Sequence, residues 1–227
     1  MKFIGITGGV GAGKSAILSY LAKKPKTRVM LADEIAHDLM EPGTACYNEI
    51  VMQFQGMDIF ADAEAVVLGK KENTDDFENN RADILQKKQL PFDRIKLARV
   101  IFSDTHRREQ MNAIVHPAVK EYVRRQYVLE MEKNELDFLV LEAALLIEEE
   151  YDEICDELWY IYTNEENRRL RLKESRGYSD EKIDSIFASQ LSEAEFRAST
   201  QVTIDNNGDL EETMKQIEKS LRRKADE

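Results

Sequence analysis

Residues 3–18 read FIGITGGVGAGKSAIL. An apolar run leads into glycines at 8, 9, 11 and 13, then a lysine, a serine and a second apolar stretch. Gly8, Gly13, Lys14 and Ser15 fill every fixed place of the pattern G-x-x-x-x-G-K-[ST]. At average residue usage this pattern arises by chance in a chain of this length about 1% of the time. Its setting, after a strand-like run and before a helix-like one, is the setting its chemistry requires. Missing side chains let backbone wrap a phosphate. The N–H groups of residues 11–16 are expected to point inward and form an anion nest at a helix N-terminus. The expected nucleotide contacts are Gly9, Val10, Gly11, Ala12, Gly13, Lys14, Ser15 and Ala16. Lys14 is placed to bridge the β- and γ-phosphates, and the Ser15 hydroxyl to meet Mg²⁺. The stretch therefore predicts a nucleoside triphosphate ligand, ATP or GTP.

Further strand-like runs follow at 28–32, 138–146, 157–162 and 201–205, after the first at 2–7. Helix-like segments lie at 14–24, 34–40, 45–54, 93–102, 107–133, 164–176, 180–190 and 209–224. Near-continuous apolar strands alternating with helices predict an α/β fold, a five-stranded parallel sheet flanked by helices. The gap between the second and third strands is far longer than one crossover needs. The expected organisation is one domain: a nucleotide core at about 1–33, 135–163 and 200–227, a helical lobe at about 34–134, and a helical lid at about 164–190. Residues 61–89 are polar without a clear period and are expected at the surface, partly mobile. Pro117 lacks an N–H and is expected to break or restart the helix in 107–133.

Composition narrows the classes. The 227 residues carry a net charge of −12, with 42% hydrophobic and 33% charged side chains. Nucleic-acid affinity rests largely on lysine and arginine, so this balance disfavours a nucleic-acid partner. No apolar run approaches the ~20 residues of a membrane span. The first strand-like run begins at residue 2, so a cytoplasmic protein without a leader is expected. Cys46 and Cys155 form no C-x-x-C motif and are expected to be reduced thiols. The oligomeric state is not legible; a monomer is the expectation.

Three classes of nucleotide protein compete. A GTPase switch should carry N-K-x-D, and a transporter-type ATPase an L-S-G-G-Q-like signature; neither occurs. A small-molecule kinase needs a base near the phosphates, an acceptor lobe and mobile arginines. Asp33 closes the second strand-like run, where it could accept a hydroxyl proton or orient Mg²⁺-bound water; it could equally cap the helix that follows. Glu142 interrupts FLVLEAALL and reads either as a metal or water contact or as a strand-end residue reaching solvent. Arg168, Arg169, Arg171 and Arg176 suit a closing lid, or else a solvated helix face neutralised by Glu165, Glu166 and Glu174. His116 could touch a ligand or be a satisfied histidine at a helix junction. His37 and His106 show no metal-ligand spacing.

Taken together, ITGGVGAGKS (6–15), LADEIAHDLMEPG (31–43), FDRIKLARVIFSD (92–104), MNAIVHPAV (111–119), LEAALLIEE (141–149) and QVTIDNNG (201–208) resemble the dephospho-CoA kinase family. The likeness runs from Phe3 to about Ile217. It implies a P-loop kinase fold and transfer of the ATP γ-phosphoryl group to the ribose 3′-hydroxyl of dephospho-CoA, with Mg²⁺. It implies Asp33 as base, with Lys14 and the lid arginine Arg171 completing the catalytic set. It implies Asp33, His37, Arg94 and His116 as the acceptor-binding residues, Arg94 and His116 falling in the acceptor lobe, and places Asn206 on the loop near the adenine. The family's first D-A-D aspartate is Leu31 here, a usual proline is Ala144, a usual glycine is Ala98, and Ser175 stands where arginine is common. Another small-molecule kinase, acting on a nucleoside or nucleotide, is the alternative.

Overall fold

The structure is a computed structural model that describes residues 1–62 and 90–222. The expectation for 61–89 falls outside these, apart from Ala61 and Asp62. The described chain divides into two compact units, Met1–Ala32 with Val123–Glu227, and Asp33–Tyr122.

The first unit is built on five parallel strands: β1 (Lys2–Thr7), β2 (Thr27–Leu31), β3 (Phe138–Glu142), β4 (Glu157–Tyr162) and β5 (Val202–Asp205). Their order across the sheet is β2-β3-β1-β4-β5. Phe3, Ile4 and Ile6 of β1 are fully buried, as expected of a central strand covered on both faces. The strand-like run at 138–146 proves too long. Glu142 pairs with Ile6 on one side and Leu31 on the other, and β2 stops at Leu31. On the β2 side the ladder ends there, and the following apolar residues form turns.

Helix α1 (Lys14–Ala22) buries Ile17, Leu18 and Leu21. With Val140, Trp159, Ile161, Ile204 and Ile217 they form the main core of this unit. Ile217 comes from the C-terminal helix α9 (Leu210–Leu221), whose buried Thr213, Ile217 and Ser220 recur at helical spacing. Between β4 and β5 lie α6 (Glu165–Arg176), α7 (Asp180–Ala188) and the short α8 (Glu193–Ala198). The last was not expected from periodicity, although Ser192 and Glu195 form a capping box at its start.

The second unit holds α2 (Ala32–Leu39, whose first residue belongs to the first unit), α3 (Ala45–Gln53), α4 (Arg94–Phe102) and the start of α5 (Thr105–Lys133). Cys46, Ile50, Phe54, Ile59, Leu97 and Met111 form its core. Pro117 does not break α5, which runs as one helix through it. A proline removes only its own donor, and the turns on either side keep theirs.

In the first unit Glu130, on α5, is 5% exposed and bonds Arg28 Nη1 at 2.7 Å and Lys133 Nζ at 2.9 Å. Hydrogen bonds from Lys133 first, and Arg28 second, hold its carboxyl below the usual range against the opposing effect of desolvation. A depressed carboxyl pKa contributes stability above the unfolded value of about 4.3, lost as pH falls through the folded value. Glu130→Ala is therefore expected to cost about 1–2 kcal/mol at pH 7 in urea unfolding, tempered by Arg28 being partly exposed. Near pH 3 the difference from wild type should shrink; a pH-independent difference would place the effect in packing instead.

Candidate active site

The glycine loop folds as a turn whose carbonyls are gripped from outside. Gly8 has φ +148°, and a Cβ there would lie 2.6 Å from the Ile161 carbonyl oxygen, an immovable backbone atom. Gly13 precedes α1 with φ +87° and gives its helix no side-chain cap. No side chain of the N-cap residue therefore takes a first-turn donor of α1, the condition that lets the remaining donors meet an anion. Two amides of the expected nest are spent within the loop: Ala12 N–H bonds Gly9 O at 3.1 Å and Ala16 N–H bonds Gly13 O at 3.2 Å. Those of Gly11, Gly13 and Ser15 have no acceptor among the described residues.

Three side chains from distant sequence converge on the Ala12 carbonyl. Asn206 Nδ2 donates to it at 2.7 Å, Thr163 Oγ1 lies 3.1 Å away, and Arg171 Nη1 donates at 3.4 Å. Arg171 Nη2 also donates to the Asn206 carbonyl at 2.8 Å. In a trans peptide the C=O and the next N–H point in opposite directions. Pinning Ala12 C=O outward therefore turns the Gly13 amide inward. Asn206 Oδ1 meanwhile accepts from the Thr213 hydroxyl at 3.0 Å, so its buried side chain works as a brace on the loop.

Lys14 Nζ donates to Gly8 O at 2.6 Å and lies 3.6 Å from Glu142 Oε1, both side chains mostly buried. This gives Glu142 a partner that neither sequence alternative named. Ser15 is exposed in the first turn of α1. Among the described residues no cluster of three or more His, Cys, Asp or Glu could hold a metal by itself. The Ser15 hydroxyl is a hard oxygen donor, which fits Mg²⁺, an ion that keeps several waters and takes few protein ligands beside phosphates.

The arginine run splits by helical position. Arg168 and Arg171, three apart on α6, face the glycine loop, and neither forms an ion pair among the described residues. Arg169 turns instead to Asp180 at 2.9 Å and Asp184 at 2.5 Å, joining α6 to α7. Those aspartates, not Glu165, Glu166 or Glu174, neutralise it. Arg176 is exposed and lies 5.8 Å from the Tyr178 ring. The Ser175 hydroxyl bonds back to the Arg171 carbonyl at 2.6 Å. Sequence reasoning assigned no role to Thr163, Phe187 or Gln190. Thr163, the first polar residue after the apolar β4, carried a weak local signal; Gln190 carried none.

In the second unit Asp33 sits in the first turn of α2, within the helix rather than at the junction between the strand-like run and the helix as expected. It is the helix's second residue and its side chain caps nothing among the described residues. Asp33 and His37, four apart, share a helix face and are exposed. Arg94 opens α4 after its N-cap Asp93, also exposed, and His116 is half-buried within α5.

A glycine loop carrying lysine and serine, set between a central strand and a helix in a parallel sheet of this order, defines a P-loop kinase fold. The description of the family model that matches residues 2–212 is dephospho-CoA kinase. Curated relatives of that name include those of Symbiobacterium thermophilum, 31% identical over 98% of this chain and 81% of the relative, and Shouchella clausii, 30% identical over 99% of both. Among solved structures, dephospho-CoA kinase from Campylobacter jejuni aligns with TM-score 0.64 at 18% identity over 98% of this chain and 96% of its own. TT1252 from Thermus thermophilus aligns with TM-score 0.61 at 24% identity over 97% and 96%. The chain belongs to the dephospho-CoA kinase family. Among the described residues no helix is long and apolar enough to cross a membrane.

Proposed function

We propose that this protein, as a cytoplasmic monomer, transfers the γ-phosphoryl group of ATP to the ribose 3′-hydroxyl of dephospho-CoA, giving CoA and ADP. The observation that carries this reading is the extent of the family match: residues 2–212 include the whole Asp33–Tyr122 unit, not the nucleotide loop alone. Asp33, two residues beyond the carboxyl end of β2, takes the proton of the 3′-hydroxyl as its oxygen bonds the γ-phosphorus. The bond from that phosphorus to the β-phosphate oxygen breaks, and ADP leaves with the electron pair. The nest amides and Lys14 hold the β- and γ-phosphates, and Arg171 adds charge beside them. Mg²⁺ bound with ATP, met by Ser15, supplies further neutralisation of the phosphate oxygens. His37, Arg94 and His116 bind the acceptor, and Asn206 serves the nucleotide by bracing the loop.

The test is ADP formation from Mg²⁺-ATP against dephospho-CoA, adenosine, uridine, AMP and no acceptor. ADP release that depends on dephospho-CoA, with a new 3′-phosphate in the product, is the expected result. Release only with a nucleoside or nucleotide would move the protein to the alternative acceptor class.

A further inference from the structure

Arg168 occupies a place that neither the mechanism above nor the nucleotide motif accounts for. Its Nε donates to the Val10 carbonyl at 2.9 Å, and its Nη2 donates to Gln190 Oε1 at 2.5 Å. The same Gln190 oxygen accepts the Val10 N–H at 3.3 Å. The guanidinium lies 4.2 Å from the centre of the Phe187 ring, a cation–π distance. Both ends of residue Val10 are thus held by side chains from beyond β4. Gly9 has no positive φ to explain it; what it lacks is room, because a Cβ there would fall on the Arg168 guanidinium.

Burial draws the Arg168 guanidinium's pKa down from its ordinary value, the direction expected of a cation removed from water. It forms no ion pair among the described residues, while Arg169 beside it has two. Glu165 acts on it only through the weaker charge interaction, and among the described residues no carboxylate lies within salt-bridge distance, so in a chain of net charge −12 this half-buried cation is kept for something other than an ion pair.

We infer that Arg168 is a positioning residue for nucleotide binding: by pinning the Val10 carbonyl outward, with Gln190 and Phe187 holding it there, it aims the Gly11 amide at the phosphates. The geometry is that of one planar trans peptide, so the carbonyl's direction sets the amide's. The latch also makes the placement of α6 and α7 and the affinity for nucleotide one coupled equilibrium, since the same contacts serve both. This inference rests on the P-loop binding a nucleoside triphosphate and does not depend on the acceptor.

The experiment measures Mg²⁺-ADP affinity by calorimetry, with thermal unfolding alongside, for wild type, Arg168→Met, Arg168→Lys, Gln190→Ala, the Arg168→Met/Gln190→Ala double variant and Gly9→Ala. Arg168→Met should weaken ADP binding ~10-fold, the scale of a lost charge-assisted hydrogen bond. Arg168→Lys should recover only part, because an ammonium cannot fork between Val10 O and Gln190 while stacking on Phe187. The double variant should fall well short of the product of the single effects, as expected for one cooperating unit. Gly9→Ala, which keeps Arg168 but evicts its guanidinium, should reproduce the loss if Arg168→Met folds poorly. The KM for the acceptor should stay within about twofold, reading positioning apart from general damage. Wild-type ADP affinity in folded Arg168→Met or in Gly9→Ala would overturn the inference, as would strictly multiplicative effects. Wild-type protein that binds ADP but ignores dephospho-CoA would instead defeat the acceptor assignment and leave this one standing.

Discussion

Lys14→Ala is expected to lower turnover by ~10²–10³-fold and to weaken ATP binding in the same variant. The ammonium rests 2.6 Å from the Gly8 carbonyl and 3.6 Å from Glu142, where a mostly buried cation is held beside the nest rather than in solvent. A phosphate entering the nest meets that charge without an entropy cost for recruiting it, because the side chain is already placed. Alanine removes the charge and also leaves the Glu142 carboxylate, 18% exposed, without this cation near the incoming phosphates. Both effects disfavour ATP, which is why affinity and turnover should fall together. Calorimetric titration with Mg²⁺-ATP and steady-state kinetics on the same preparation check this. Nucleotide affinity equal to wild type would count against the loop as the phosphate site.

Asp33→Asn separates the two properties. Turnover should fall ~10²–10⁴-fold while Mg²⁺-ATP affinity stays within a few-fold. Asparagine keeps the shape and loses the ability to take a proton. Asp33 also lies in the first turn of α2, where a carboxylate favours the helix N-terminus by about 0.3–1 kcal/mol. That second role is small, and it reads out in thermal stability rather than in turnover. The magnitudes therefore distinguish base from helix stabiliser: a few-fold change in turnover with a lower Tm would reduce Asp33 to the latter.

The glycine loop and the strands were legible because their signals are local. A loop that must approach a phosphate has to shed its side chains within a few residues, and a doubly covered strand has to be apolar along its length. The end of β3 was not legible, since an apolar run cannot announce where its neighbours stop; Glu142, the last residue of β3, lies level with Leu31, the last of β2. The helix through Pro117 and the six-residue α8 failed for related reasons, the first being decided by the turns around the proline and the second being too short to show a period. The arginine run could be counted but not sorted. Whether an arginine meets a carbonyl of the loop or an aspartate of the next helix depends on which turn of α6 carries it and on what tertiary packing brings opposite. The braces were least visible of all, since Thr163 meets Ala12 across 151 positions and Gln190 meets Val10 across 180.

That separation has a consequence for anyone moving the motif. A graft of residues 8–15 between the strand and helix of another scaffold would carry the glycines, the lysine and the serine, yet leave behind Thr163, Arg171 and Asn206. The Ala12 carbonyl would then be free to rotate toward the cavity and present an oxygen where a phosphate needs an N–H. The transplanted octapeptide would keep its spelling and lose its handedness toward anions. The portable unit is the loop together with the threonine that closes β4, the asparagine just beyond β5 and the α6 arginine.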